Sequence, residues 1–181
     1  MTARVRRRLW PRLLSTLLIG GLFALGWWWE QKTVDRSRSQ KGDAFLAPGK
    51  YAVRHVVDGD TLLLEYNRVK VRLQGIDTPE TVKKDHPVEP WGSEASDYTE
   101  HFILQAHGRV RLEPSGATAD LYGRQLAFVW HDKRLLNEEL VRQGLAHAKL
   151  DYDYSATLKE RLRQAQVEAQ DHRRGIWSQG D

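Results

Sequence analysis

Beyond residue 48 the chain breaks into short apolar runs separated by turn residues. Tyr51 to Val57, rich in valine, predicts a strand. Asp58-Gly59-Asp60 predicts a tight reversal. Thr61 to Glu65 and Val69 to Ile76 predict two further strands, with Tyr66-Asn67-Arg68 as their hairpin connection. Thr81 to Trp91, carrying Lys83, Lys84, Asp85, Pro87 and Pro90, predicts a polar loop. Ser93 to Gln105 has apolar residues at Ala95, Tyr98, Phe102 and Leu104, close to helical spacing, and Gly108 closes that helix. Arg109 to Glu113 and Gln125 to Trp130 predict two more strands. Leu135 to Gln143 predicts a short helix stopped by Gly144, and Thr157 to Asp171 a longer one with Leu158, Leu162, Ala165 and Ala169 on one face. Five strands with a helix after the third, and three helices in all, predict a mainly β, α+β domain: a five-stranded OB-type barrel over residues 49–179. Such a fold does not by itself give a function.

The start of the chain follows another pattern. Arg4, Arg6, Arg7, Arg8 and Arg12 precede an uncharged stretch from Leu13 to Trp29, which Glu30 and Lys32 end. That stretch lies near the short end of the about 17–25 residues that cross a bilayer. It predicts an N-terminal transmembrane helix over residues 13–29. The arginines make residues 1–12 a cytoplasmic tail and put the domain on the far side, periplasmic or extracellular. Trp27, Trp28 and Trp29 fall where an interfacial aromatic belt would sit. The competing reading is a signal peptide cleaved near Ala24 and Gly26, giving a secreted protein; three tryptophans directly after that site favour the anchor. Residues 30–48 are polar and patternless and predict a flexible linker.

Charge changes the picture only once it is placed. The net charge is +4 over 181 residues, but nine Lys/Arg and three Asp/Glu precede residue 48, leaving 19 and 21 in the remainder. The basic balance therefore belongs to the tail and speaks of membrane orientation, so any nucleic-acid contact must be local or metal-bridged. The absence of cysteine excludes thiol catalysis, disulfides and thiolate zinc sites. His101 and His107 lack the spacing of a helical ligand pair. Asp151-Tyr152-Asp153-Tyr154 lacks the spaced glycine and closing glutamate of a calcium loop, and is expected to be polar surface.

In a meander the start of the second strand and the end of the third are neighbours, so Asp60 and Asp77 are expected at one end of the sheet. Converging carboxylates repel unless a cation lies between them, and hard oxygen ligands suit calcium or magnesium. Arg72 lies an odd number of residues before Asp77, so simple alternation puts it on the opposite face; a bulge near Gly75 would correct this. Arg124 follows Tyr122-Gly123 at the entry to another strand. Guanidinium forks match phosphate oxygens. Two arginines, a metal and a carboxylate are the inventory for attack of water on a phosphodiester. Taken singly each residue has a plainer role, Asp-Gly-Asp as a turn and a lone arginine as surface charge; it is their joint occurrence that points to a site.

The segments V-V-D-G-D-T (Val56–Thr61), V-R-L-Q-G-I-D-T-P-E (Val71–Glu80), D-L-Y-G-R-Q-L-A-F-V (Asp120–Val129), N-E-E-L-V-R-Q-G-L-A (Asn137–Ala146) and G-I-W-S (Gly175–Ser178) resemble the staphylococcal nuclease (thermonuclease) family, in order and in spacing. The resemblance covers Tyr51 to about Gln179. It implies a calcium-dependent nuclease that cleaves DNA and/or RNA to give 3′-phosphate products. Asp60, Asp77 and the Thr78 carbonyl would hold Ca2+, Glu80 would act on the attacking water, and Arg72 and Arg124 would bind the phosphate. Tyr122 and Tyr152 match substrate-binding positions. A monomer is expected. Two positions depart from the family pattern: Leu121 replaces a lysine and Leu150 a pocket tyrosine, which removes one cationic and one aromatic substrate contact. A barrel that binds single-stranded nucleic acid without cutting is the alternative, disfavoured because Arg72, Glu80 and Arg124 are all present and because the domain is nearly neutral.

Overall fold

A computed structural model describes residues 46–81 and 89–178. The expected N-terminal tail, anchor and most of the linker lie outside the described residues, as does most of the polar loop. Among the described residues no helix is long and apolar enough to cross a membrane.

The strands are β1 (Gly49–Asp58), β2 (Thr61–Leu64), β3 (Lys70–Leu73), β4 (Ile76–Asp77), β5 (Arg109–Glu113), β6 (Gln125–His131), β7 (Arg134–Leu135) and β8 (His147–Ala148). The helices are α1 (Gly92–Gln105), α2 (Leu136–Arg142) and α3 (Ala156–Asp171). Antiparallel pairs run β3-β2-β1-β5-β6, and β3 then pairs with β6 in parallel, so five strands close on themselves. Closure removes the unpaired edges that an open sheet would present. The long β1 serves both halves of the barrel, pairing with β5 at Gly49–Ala52 and with β2 from Val53 onward, with register shifts at Val53/His55 and Val56/Asp58. Such shifts let one strand bend around a barrel corner.

The barrel core follows the period-2 pattern: Leu62, Leu64, Val71, Leu73, Val110 and Leu112 have at most 1% of their surface exposed. Each stabilises the fold by roughly 1.5–3 kcal/mol relative to exposure. Helix α1 buries Ala95, Thr99, Phe102 and Ile103. The expected Leu104 is instead exposed, because Ile103 takes the inward position next to Phe102. The expected polar run at Asp151–Tyr154 is also corrected: Tyr154 is buried, packs on Phe128 and donates its hydroxyl to the Lys149 carbonyl at 2.8 Å. Alternation of charge and ring in that run hid one core residue among surface ones.

The predicted third strand divides. It leaves the β3 ladder at Gln74-Gly75, and Ile76-Asp77 pairs with His147-Ala148 instead. Gly75 has φ +77°, a conformation that residues with a Cβ rarely adopt. Buried Asn137 holds the break open, donating to the Gln74 carbonyl at 2.8 Å and accepting from the Val129 amide at 2.9 Å.

Candidate active site

Arg72 stands on β3 opposite Thr61, one residue past the turn that ends in Asp60. Asp60 has no exposed surface. Its carboxylate accepts from the Thr61 hydroxyl at 3.2 Å and the Thr78 amide at 3.0 Å, and pairs with Arg72 Nη1. Arg72 Nη2 reaches Asp77 Oδ1 at 2.5 Å. One guanidinium thus spans both carboxylates. The parity problem in the sequence is solved by the break at Gly75, which turns Asp77 back toward Arg72. Gly59 permits the tight approach beneath: a Cβ there would lie 2.7 Å from that of Ala95 and 3.0 Å from the Thr78 hydroxyl.

Arg124 enters from the 120–123 turn, whose last residue, Gly123, has φ +75°. Its Nε donates to Asp120 Oδ2 at 2.6 Å, and its guanidinium lies 5.6 Å over the Tyr122 ring. Asp120 Oδ1 accepts both the Tyr122 and the Arg124 amides at 2.9 Å. Burial pushes the Asp120 carboxyl up, but the Arg124 and Tyr122 donors outweigh it and hold it below the usual range.

Arg72, Asp77, Glu80, Tyr122, Arg124 and Tyr152 all line one pocket of about 510 Å³. Six of the eight residues expected from the sequence therefore converge on a single cavity. The other two, Asp60 and Thr78, lie buried below it and reach it through Arg72 and through the Thr78–Asp60 hydrogen bond. Glu80 is exposed on the wall. Its backbone is fixed by Glu89, which accepts the Glu80 amide at 3.1 Å and returns its own amide to the Glu80 carbonyl at 3.0 Å. Tyr122 and Tyr152 are exposed at the rim, as is Leu121.

Electrostatically the pocket is one system. Burial pushes the Asp58 carboxyl up, while Thr61, Arg72 and Arg124 oppose the shift. Burial pushes the Arg72 guanidinium down, Asp77 and Asp58 restore part of it, and Arg124 adds repulsion. Three cations, Arg72, Arg124 and Lys149, line the pocket together with the carboxylates of Asp77, Glu80, Asp120 and Asp153.

The donor chemistry fits a hard divalent cation. Asp60, Asp77 and the Thr78 carbonyl offer only oxygens, and Asp77 is half exposed to the pocket, leaving the remaining positions to water. Among the described residues no three His, Cys, Asp or Glu side chains form a ready-made cage. Asp60 and Asp77 both lean on Arg72, so a cation would share them with it.

Several site residues escaped the sequence reading. Asp120, four residues before Arg124, lay inside a quoted segment, and its spacing was the available signal. Asn137 likewise lay in a quoted segment with no role attached. Gln74, which accepts the Ser115 amide at 3.2 Å and donates to the Ser115 carbonyl at 2.5 Å, anchors the 114–119 loop and also lay in a quoted segment with no role attached. Lys149 lines the pocket and pairs with Asp77 Oδ2 at 3.4 Å.

Comparison with known proteins gives a consistent result. The family model described as staphylococcal nuclease homologue matches residues 70–179. A thermonuclease of Staphylococcus hyicus is 44% identical over 130 residues, 71% of this chain and 75% of the relative. A thermonuclease of Staphylococcus intermedius is 42% identical over 129 residues, 70% of this chain and 75% of the relative. Endonuclease YncB of Bacillus subtilis is 35% identical over 125 residues, 67% of this chain and 58% of the relative.

Proposed function

The chain belongs to the staphylococcal nuclease family, and from that premise we propose that its pocket hydrolyses phosphodiester bonds of DNA or RNA with calcium, leaving 3′-phosphate ends. The observation that carries this reading is the convergence of Arg72, Glu80, Arg124 and Asp77 on one cavity.

The two guanidiniums present forked N–H donors to the non-bridging oxygens of the scissile phosphate. Arg124 is pre-positioned by Asp120, and Arg72 is held by Asp60 and Asp77, which it would share with the ion. Glu80 orients a water and takes its proton as the new P–O bond forms. The bond from phosphorus to the 5′ oxygen breaks, that oxygen gains a proton, and the phosphate stays on the 3′ side. Asp60, Asp77 and the Thr78 carbonyl would hold a calcium ion, which would supply positive charge for the phosphate. Tyr122 and Tyr152 offer rings at the rim for the flanking bases.

The arginines before Leu13 and the tryptophans at 27–29 support an anchored domain on the outer side of the membrane. Alkaline extraction of membranes followed by protease treatment of intact cells tests that placement.

The test of the reaction is digestion of single- and double-stranded DNA, and of RNA, by the full chain with calcium and with chelator, beside Glu80→Ser and Arg124→Ala. Calcium-dependent cutting that both variants depress by orders of magnitude supports the assignment. Product ends are read by sensitivity to 3′-phosphatase. A folded protein that cuts none of these with calcium overturns the reading and leaves a binding barrel.

A further inference from the structure

Lys149 carries a third cation of the pocket, in addition to Arg72 and Arg124. It follows β8, its amide donates to the Gly75 carbonyl at 2.8 Å, and the buried Tyr154 hydroxyl donates to its carbonyl at 2.8 Å. The backbone is therefore fixed while the side chain remains about 40% exposed. Among the described residues it is the one lysine lining this pocket.

The three cations are not equally engaged. Arg72 is committed to Asp60 and Asp77, and Arg124 to Asp120 at 2.6 Å. Lys149 holds only Asp77 Oδ2, at 3.4 Å and half exposed. Exposed pairs of that kind contribute little and are readily exchanged. A lysine ammonium is a compact charge on a flexible stem, suited to following a phosphate rather than gripping one geometry. Lys149 shares its wall with Tyr152, three residues on, which is exposed at the rim. Leu121, in the turn that carries Arg124, also lines the pocket and is fully exposed.

We propose that Lys149 is a substrate-binding residue that takes the backbone phosphate flanking the scissile one on the Tyr152 side of the pocket. The inference rests on the pocket being the nucleic-acid site. The contribution is to binding, since Arg72, Glu80 and Arg124 carry the proposed reaction.

The test compares wild type, Lys149→Ala and Lys149→Arg as full chains in calcium. The readouts are KM and kcat on a fluorescein-labelled single-stranded octanucleotide, and the salt dependence of its binding in a Glu80→Gln background. Loss of one phosphate contact to a single strand flattens the slope of log K against log salt by about 0.7. The expected result is a KM raised about three- to tenfold at low salt with kcat within about twofold, a slope flattened by that amount, and recovery in Lys149→Arg. An unchanged KM and slope overturns the proposal. A fall in kcat with unchanged KM also overturns it, assigning Lys149 to the positioning of Asp77 instead. Wild type that binds the octanucleotide without cutting it sinks the hydrolytic reading but leaves the Lys149 slope measurable.

Discussion

Asp120 and Arg124 share three hydrogen bonds: Asp120 Oδ2 accepts from the Arg124 Nε at 2.6 Å, Oδ1 accepts from its backbone amide at 2.9 Å, and the Asp120 amide donates back to the Arg124 carbonyl at 3.0 Å. The turn is thus built around the guanidinium that faces the pocket. Asp120→Ala releases the fork without removing it. The expected effect is a fall in kcat of about 10- to 100-fold, the scale on which misplacement costs rate. Arg124→Ala should fall further, by about 100- to 1000-fold or more. The double variant should be no worse than Arg124→Ala alone, since Asp120 acts through it. Additive losses in single-turnover kinetics would refute that dependence.

Gly75 is where the third strand breaks and where the active-site parity is set. Its φ of +77° disfavours any side chain, and a Cβ would lie 2.9 Å from the Tyr154 ring and 3.0 Å from Leu162. Gly75→Ala therefore combines backbone strain with overpacking, at a cost of about 2–4 kcal/mol. Activity should fall more than stability alone explains, because Asp77 would move away from Arg72. Urea unfolding beside activity at a temperature where the variant is fully folded separates the two effects. Normal specific activity in the folded variant would show that the break does not position Asp77.

Most elements were legible in the sequence because they obey local rules, whereas the site residues stood out through motifs that resemble a known family. Period-2 alternation gave the strands, and helical spacing with closing glycines gave the helices. What local rules could not give was non-local. The parallel pairing of β3 with β6, which closes the barrel, leaves no mark on either strand. Tyr154 was hidden because its neighbours are polar, yet Phe128 on β6 supplies its packing surface. Leu104 illustrates the converse error, a leucine at plausible spacing displaced from the core by its neighbour Ile103. Asp60 and Asp77 were recognisable as a pair, but not that Arg72 lies between them, since the strand geometry alone predicted the reverse.

Asn137 is the buried hinge pin between the β3 break and β6. It has no exposed surface, and it satisfies one acceptor at Gln74 and one donor at Val129. Asn137→Ala leaves both backbone groups unpaired in the core, at about 1–3 kcal/mol each. A loss of about 2–5 kcal/mol in denaturant unfolding is expected. Asn137→Asp should also destabilise, because a carboxylate cannot donate to the Gln74 carbonyl. Either variant unfolding at the wild-type midpoint would show that water replaces the side chain.

The alkaline limit of the fold is set by two tyrosines. Burial, and after it the Glu139 carboxylate that accepts the Tyr98 hydroxyl at 2.9 Å, push Tyr98 from 10.0 up to about 12. Burial, and after it Asp151, push Tyr154 up to about 12 as well. A phenol that loses its proton less readily in the folded state adds stability that is fully present below pH 10, where both states are protonated. That stability is lost as pH rises from about 10 through about 12, because only the unfolded chain ionises freely. Wild-type stability should therefore be flat from pH 8 to about 9.5 and decline steeply above it. Tyr98→Phe should begin less stable, having lost the bond to Glu139, but decline less, so the gap to wild type narrows above pH 10. Chemical unfolding at pH 8, 9.5 and 11 checks this for Tyr98→Phe and Tyr154→Phe. A gap that stays constant across that range would mean that neither phenol is held neutral by the fold.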